Sequence, residues 1–199
     1  SQTWSTFIHN QMHQIIACDF MTVVSIRFKI HYVFVVIELG TRKIVHYNVT
    51  QNPNPQWAIQ QFRETIHPDN EYKYLIHDND SIFSKAVDRS VENMNVKVVK
   101  TAIHAPKMNA FCERVIGTIR RECLDHMIPL SEKYLHTILK RWIKHYNEGR
   151  PHMSLGPGIP NVSPDNIVPL SEYRHKIPEG YQVVKEPILG VLHHEYSFK

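Results

Sequence analysis

Three stretches in the first fifty residues are dense in apolar and β-branched side chains. In residues 14–20 (QIIACDF) an apolar run leads into one carboxylate, Asp19. Residues 30–39 (IHYVFVVIEL) hold so much valine, isoleucine and aromatic character that they predict a strand buried on both faces. Gly40, Thr41 and Arg42 form a turn signal, and residues 43–50 (KIVHYNVT) predict a third strand that completes an antiparallel meander. The period changes after Asn52-Pro53-Asn54-Pro55. Ile59, Phe62 and Ile66 recur at helical spacing, with Trp57 and Ala58 at the start. Residues 72–76 predict a short strand running into His77 and Asp78, residues 81–94 a helix, and residues 96–99 another strand. A helix follows from about Lys107 through Glu113 toward His126, ended by Pro129. The clearest element comes next. Ser131 is a good N-cap, and Leu135, Ile138, Leu139, Trp142, Ile143 and Tyr146 follow along one face, with Gly149 and Pro151 closing the helix.

The order is β-β-β-α-β-α-β and then helices, which predicts an α/β sheet of mixed direction. From Gly156 prolines mark a connector, and residues 181–198 predict a hairpin around Leu189-Gly190. We therefore expect a core over residues 1–156 and a connector with a short β-rich extension over 157–199.

Composition narrows the class. The 199 residues are 42% hydrophobic and 21% charged, a globular and not a disordered balance. The longest apolar run, residues 32–37, is far too short to cross a bilayer, and no basic-then-apolar leader opens the chain, so no membrane partner is expected. Cys18, Cys112 and Cys123 form no CxxC pair, which argues against structural zinc and suits a reducing, cytoplasmic setting. The net charge of +4 and pI near 8.9 are compatible with a nucleic-acid partner without establishing one.

Three acids stand out by position: Asp19 on the first strand, Asp78 just after the fourth, Glu113 early on the helix after the fifth. Carboxylates converging at strand ends hold hard cations through oxygen, and two such ions can run phosphoryl transfer. Each acid alone is a weak signal, since most are solvated or form turns.

Their surroundings strengthen the case. Asp78-Asn79-Asp80-Ser81-Ile82-Phe83 resembles the D-x-G-x-x-F segment of the integrase catalytic core family. Pro106 to Arg114 (PKMNAFCER) resembles its P-x-x-N-[GA]-x-x-E-[RK] segment. Asp78 and Glu113 lie 35 positions apart, which fits the family's D,D-35-E spacing to within one residue. Residues 36–45 (VIELGTRKIV) look like "V-I-D-x-x-[ST]-R-x-I-V", and residues 146–155 (YNEGRPHMSL) look like the "Y-N-x-x-R-P-H-x-x-L" segment of bacterial insertion-sequence transposases. The resemblance spans about residues 13–168.

It implies an RNase H-like mixed five-stranded sheet flanked by helices, with a small C-terminal β extension. Asp19, Asp78 and Glu113 are then the catalytic, metal-binding triad for two Mg²⁺ or Mn²⁺ ions, and the reaction is 3′-end processing of element DNA followed by strand transfer. The implied partners are DNA, as element ends and target, and at least one further copy of the chain, in a bacterial, nucleoid-associated setting. A non-catalytic DNA-binding or assembly module and a purely hydrolytic RNase H-like nuclease are the alternatives. Two departures matter. Asp80 stands where the family has Gly, making it an alternative ligand, and Glu38 stands for the usual Asp, read as a structural variation. Arg114, Arg120, Arg121 and Lys107 are candidate DNA contacts, and Gly117 leaves room on the Glu113 face. For Arg121 a solvated helix face is an equal reading. Tyr146, Arg150 and His152 are expected to end their helix by packing, and His77 to serve structure beside Asp78. The His9/His13 pair lacks the further ligands a zinc site needs, the adjacent His193 and His194 would point to opposite faces of a strand, and Trp4, Trp57 and Trp142 read as core or interface aromatics. The short stretch before Asp19 leaves little room for an end-recognition domain, so a fragment of a longer transposase, or one that depends on a partner, is expected. A DNA-free form with Glu113 turned away is also anticipated.

Overall fold

The computed structural model describes residues 3–69, 71–101, 109–152, 155, 158–161 and 182–198. The chain divides into two compact units, Ser1–His136 and Thr137–Lys199.

The first unit is built on a five-stranded sheet in the order β3-β2-β1-β4-β5. Its strands are β1 (Ile15–Val24), β2 (Ile30–Glu38), β3 (Ile44–Thr50), β4 (Tyr74–His77) and β5 (Lys97–Lys100). The expected meander is present, with β1, β2 and β3 antiparallel, while β4 and β5 run parallel to β1. The sheet is therefore mixed, because the short turns after β1 and β2 reverse the chain whereas β3 to β4 and β4 to β5 cross over through helices. β1 continues four residues beyond the predicted end at Phe20, since Met21 and Val23 are buried while Thr22 and Val24 face out.

Alternation gives β1 two different faces. Ile16 and Cys18 join Phe34 and Val36 of β2 in a core with Ala58 and Phe62 of α2 (Pro55–Thr65) and Val87 and Val91 of α3 (Lys85–Glu92). Phe34 and Phe62 meet edge to face, with centroids 5.6 Å apart. The other β1 face, with Ala17 and Asp19, is covered by α4 (Ala110–Glu122), whose buried Cys112 lies 4.0 Å from the carbonyls of Ala17 and Val35. Asn54 caps α2 through the Trp57 amide at 2.9 Å, and Pro55 opens the helix.

Two elements differ from expectation. A helix, α1 (Trp4–Gln11), precedes β1; its apolar contacts are few, which is why no periodic stripe announced it. α3 begins at Lys85 and not near residue 81, because Asp80 ties the preceding residues into a turn by accepting from the Ile82 amide at 2.9 Å.

α5 (Glu132–Glu148) has the predicted N-cap: the Tyr134 amide donates to Ser131 Oγ at 3.2 Å. Its predicted face is buried from Leu135 to Tyr146. Within the second unit, the expected C-terminal hairpin forms as β6 (Val183–Ile188) and β7 (His193–Phe198). His145 of α5 pairs with Glu195 at 3.0 Å and stacks on His193 at 5.0 Å. Most of the predicted connector lies outside the described residues. No helix among the described residues is long and apolar enough to cross a membrane.

Candidate catalytic carboxylate site

Asp19 sits at the middle of β1, opposite Val35 of β2. Strand alternation turns it toward the α4 face, and its Oδ1 accepts from its neighbour's amide, Phe20, at 2.7 Å. Asp78 follows the last residue of β4, which runs parallel to β1 with Ala17 paired to Ile76, so that Asp78 falls level with Asp19. Asp78 Oδ1 accepts from the Asp80 amide at 3.1 Å. Glu113 lies in the first turn of α4 and is exposed.

The three acids feel one another. Asp19 has its carboxyl pushed from 3.8 up to about 7, chiefly by burial and further by the charges of Asp78, Glu113 and Asp80, against the lowering effect of its amide bond to Phe20. The buried Cys112 thiol beneath them is raised by burial and by Asp19, Asp78 and Glu113. No Lys or Arg pairs with Asp19, Asp78, Asp80 or Glu113 among the described residues. Nor does any group of three or more His, Cys, Asp or Glu among them stand close enough to hold a metal ion. The carboxylates thus share one electrostatic field without being drawn into a coordination cluster. A half-buried negative field with no protein counter-ion among the described residues is one that a divalent cation, which takes oxygen ligands, would fit.

Two residues that sequence reasoning left without a firm role position the acids. His77 is fully buried, with Nδ1 against the Asp78 carbonyl and Nε2 3.1 Å from Asp88 Oδ1 of α3. Lys100 of β5 holds the other oxygen of Asp88 at 2.7 Å. Phe83 lies 4.6 Å from the His77 ring. His77 therefore anchors the turn that presents Asp78, the structural role expected of it. Asn109, buried before α4, donates to the Cys18 carbonyl at 3.2 Å and ties the start of the Glu113 helix to the residue before Asp19. Its Oδ1 is buried without a partner among the described residues. The motif "P-x-x-N" contained this residue, but spacing alone gave it no job.

Residues 94–160 match the Integrase core domain family. The fold points the same way. The Mos1 transposase catalytic domain, solved with raltegravir and Mg, superposes with a TM-score of 0.59 at 16% identity, over 70% of this chain and 76% of that one. A simian T-cell lymphotropic virus intasome chain gives 0.59 at 11% identity, over 93% of this chain and 66% of that one. The HTLV-2 integrase catalytic core with magnesium, in its dimeric form, gives 0.57 at 12% identity, over 74% and 93%. The chain thus carries an integrase-core match over residues 94–160, and its fold resembles those of transposase and integrase catalytic cores. No curated relative matches it in sequence.

The sheet and flanking helices are those of RNase H-like integrase cores. On this integrase fold the remaining candidates take up distinct places. Arg120 is exposed on α4, and its Nη2 donates to the Thr22 carbonyl of β1 at 3.2 Å. Arg121 fills the room at Gly117, since a methyl there would meet its Nη1 at 3.0 Å. Arg114 is exposed beside Glu113. Lys107 and Pro106 lie outside the described residues. Asp80 keeps a negative φ, so this loop does not need the conformation that the family's Gly permits. Glu38 accepts from Tyr72 and Thr41 hydroxyls, both at 2.9 Å, which is a structural part. The helix-ending segment behaves as expected: Arg150 N donates to the His145 carbonyl at 2.9 Å, and His152 packs edge-on to Tyr146 at 4.5 Å. Among the described residues, His9 and His13 belong to no group of three or more possible metal ligands. Trp57 packs 5.9 Å from Phe34, Trp142 is fully buried, and Trp4 meets Phe7 at a tilt with centroids 5.5 Å apart.

Proposed function

We propose that this chain is the catalytic core of a DNA transposase or integrase, a DDE-type polynucleotidyl transferase in which Asp19, Asp78 and Glu113 hold two Mg²⁺ or Mn²⁺ ions. The supporting observation is the raised Asp19 carboxyl: burial and three neighbouring acids, two on the loop after β4 and one on α4, concentrate uncompensated negative charge beside Asp19. Bound there, divalent ions supply the positive charge that activates an attacking oxygen and stabilises a leaving one.

The chain's own groups prepare that site. The Phe20 amide fixes the Asp19 carboxylate, and the Asp80 amide and His77 fix Asp78. Asn109 fixes the base of the helix that carries Glu113. Glu113 is exposed in the first turn of that helix, and in the proposed site its carboxylate joins the other two. In the proposed reaction, water first frees a 3′-hydroxyl at the element end. That hydroxyl then attacks a target phosphodiester in line and displaces the target's 3′-oxygen. Arg114, Arg120 and Lys107 are the proposed phosphate contacts, with Arg121 a weaker candidate because it lies back along its own helix. We expect at least a dimer on paired DNA ends.

The test is strand joining on a pre-branched DNA substrate with Mg²⁺ or Mn²⁺, wild type against Glu113→Gln. Metal-dependent joining lost in the variant supports the strand transferase. Cleavage without joining points to a hydrolytic nuclease, and DNA binding without chemistry in either protein points to a non-catalytic assembly module.

A further inference from the structure

The turn between β1 and β2 is built against the usual rule for its shape. The Phe28 amide donates to the Ser25 carbonyl at 2.8 Å, and the Ser25 amide and hydroxyl both donate to the Lys29 carbonyl, at 3.0 and 3.2 Å. Ile26 and Arg27 thus occupy the middle of a tight turn, and Phe28 follows in the left-handed region at φ 57°. Hairpin loops of this kind normally place glycine there, because a side chain costs free energy at positive φ. Here the position carries a phenylalanine that is 89% exposed, far more than any other large apolar residue described. No ring contact to Phe28 occurs among the described residues, so the fold gains nothing from it. A strained, solvated aromatic at a loop tip points to a role outside the fold.

Its neighbours indicate the partner. Arg27 and Lys29 flank it, both exposed and neither ion-paired among the described residues. No acid occurs between Asp19 and Glu38. The Ile26 amide donates to the Pro129 carbonyl at 2.9 Å, which sets Ile128 and Leu130, both more than half exposed, beside the tip. An aromatic wedge with apolar shoulders between two cations suits nucleic acid, in which bases stack on the ring and phosphates meet the cations. A second copy of the chain would have to bury both cations without an acid in the segment to meet them.

The tip also lies at the right end of the sheet. β1 and β4 are parallel, so the turn after β1 and the Asp78 loop after β4 share one end. From Asp19 to Val24 the strand rises about 17 Å at ~3.3 Å per residue. That distance is about five base steps at ~3.4 Å each. Arg120, held on the Thr22 carbonyl, lies between them.

We propose that the β1–β2 turn is a DNA wedge: Phe28 stacks on or between bases five or more steps from the reacting phosphate, and Arg27 and Lys29 take the flanking phosphates. The inference rests on the function proposed above. Its test uses the full 199-residue chain in EDTA, with a branched DNA duplex carrying 2-aminopurine at successive positions from the branch. Wild type is expected to change the fluorescence at one or two adjacent positions. Phe28→Gly removes the ring and relieves the turn, so its thermal midpoint should stay level or rise. It should lose the fluorescence change and weaken binding about tenfold or more, and Phe28→Trp should restore both. Unchanged fluorescence and affinity in Phe28→Gly overturn the wedge. So does wild-type self-association in sedimentation that Phe28→Gly abolishes while DNA readouts stay the same. Because the readout needs no metal, a joining-competent protein without the signal defeats the wedge alone, and a wedge signal without joining defeats the strand-transfer reading alone.

Discussion

Replacing Asp19 by Asn tests the electrostatics of the site in the metal-free protein. The carboxyl rises from 3.8 to about 7 on folding, so between these values the folded chain keeps a proton that the unfolded chain has lost. Folding stability therefore falls as pH rises through that window, and the whole penalty is present above pH 7. Three units at ~1.36 kcal/mol each give about 4 kcal/mol as an upper bound, and solvent reaching the half-buried carboxyl reduces it to roughly 2–4 kcal/mol. Asn keeps an acceptor for the Phe20 amide and cannot ionise. Asp19→Asn should therefore differ least from wild type near pH 4.5, where roughly a quarter of the penalty is present, and exceed it at pH 8 by about 4–16 °C in thermal midpoint, taking ~2–4 °C per kcal/mol for a chain of this size. The assay is thermal unfolding by circular dichroism in EDTA from pH 4.5 to 8.5, with the variant serving as reference for every other titrating group. Parallel curves for the two proteins would refute the reasoning, as would an advantage that shrinks as pH rises.

Metal should reverse the penalty: at pH 8, Mn²⁺ should raise the wild-type midpoint and bind by calorimetry, and Asp78→Asn and Glu113→Gln should each weaken that binding; equal affinities in all three would remove these residues as ligands. Asp88→Asn breaks the Lys100 ion pair and weakens the hold on His77 Nε2, so urea unfolding should show a loss of about 1–3 kcal/mol. The same variant should join DNA more slowly per folded molecule, because His77 anchors the Asp78 turn; an unchanged rate would limit the chain of contacts to stability. Gly40→Ala places a methyl against His13 Nδ1 and 3.0 Å from the His13 Cα, and should cost about 1–3 kcal/mol in urea unfolding. Phe34→Ala opens the centre of the aromatic cluster and should cost about 3–5 kcal/mol by the same measurement.

Much of the architecture was legible because local patterns and tertiary burial agree. Residues 30–39 read as a doubly buried strand and β2 is one, since it sits between β1 and β3 with helices beyond. The α5 stripe from Leu135 to Tyr146 and its Ser131 cap were visible because each depends on spacing within a single helix. α1 escaped because a short helix with one buried residue has no stripe to read. The far half of β1 escaped because its alternating burial is weaker than the apolar run before it. The acids themselves were named from motif and position. What they do to one another was not, since the rise of Asp19 depends on burial against α4 and on charges that reach it from residues 78, 80 and 113.

The sequence by itself determined the order and type of most elements, the family resemblance and the candidate carboxylates, because periodicity and motif spacing are one-dimensional properties. Tertiary structure alone decided that Asn109 grips the strand carrying Asp19, that Arg121 closes over Gly117, and that Asp88 and Lys100 stand behind His77. It also decided that Phe28 stands bare in solvent. Each of these depends on which segments the sheet register and helix packing bring side by side, and no local spacing encodes that.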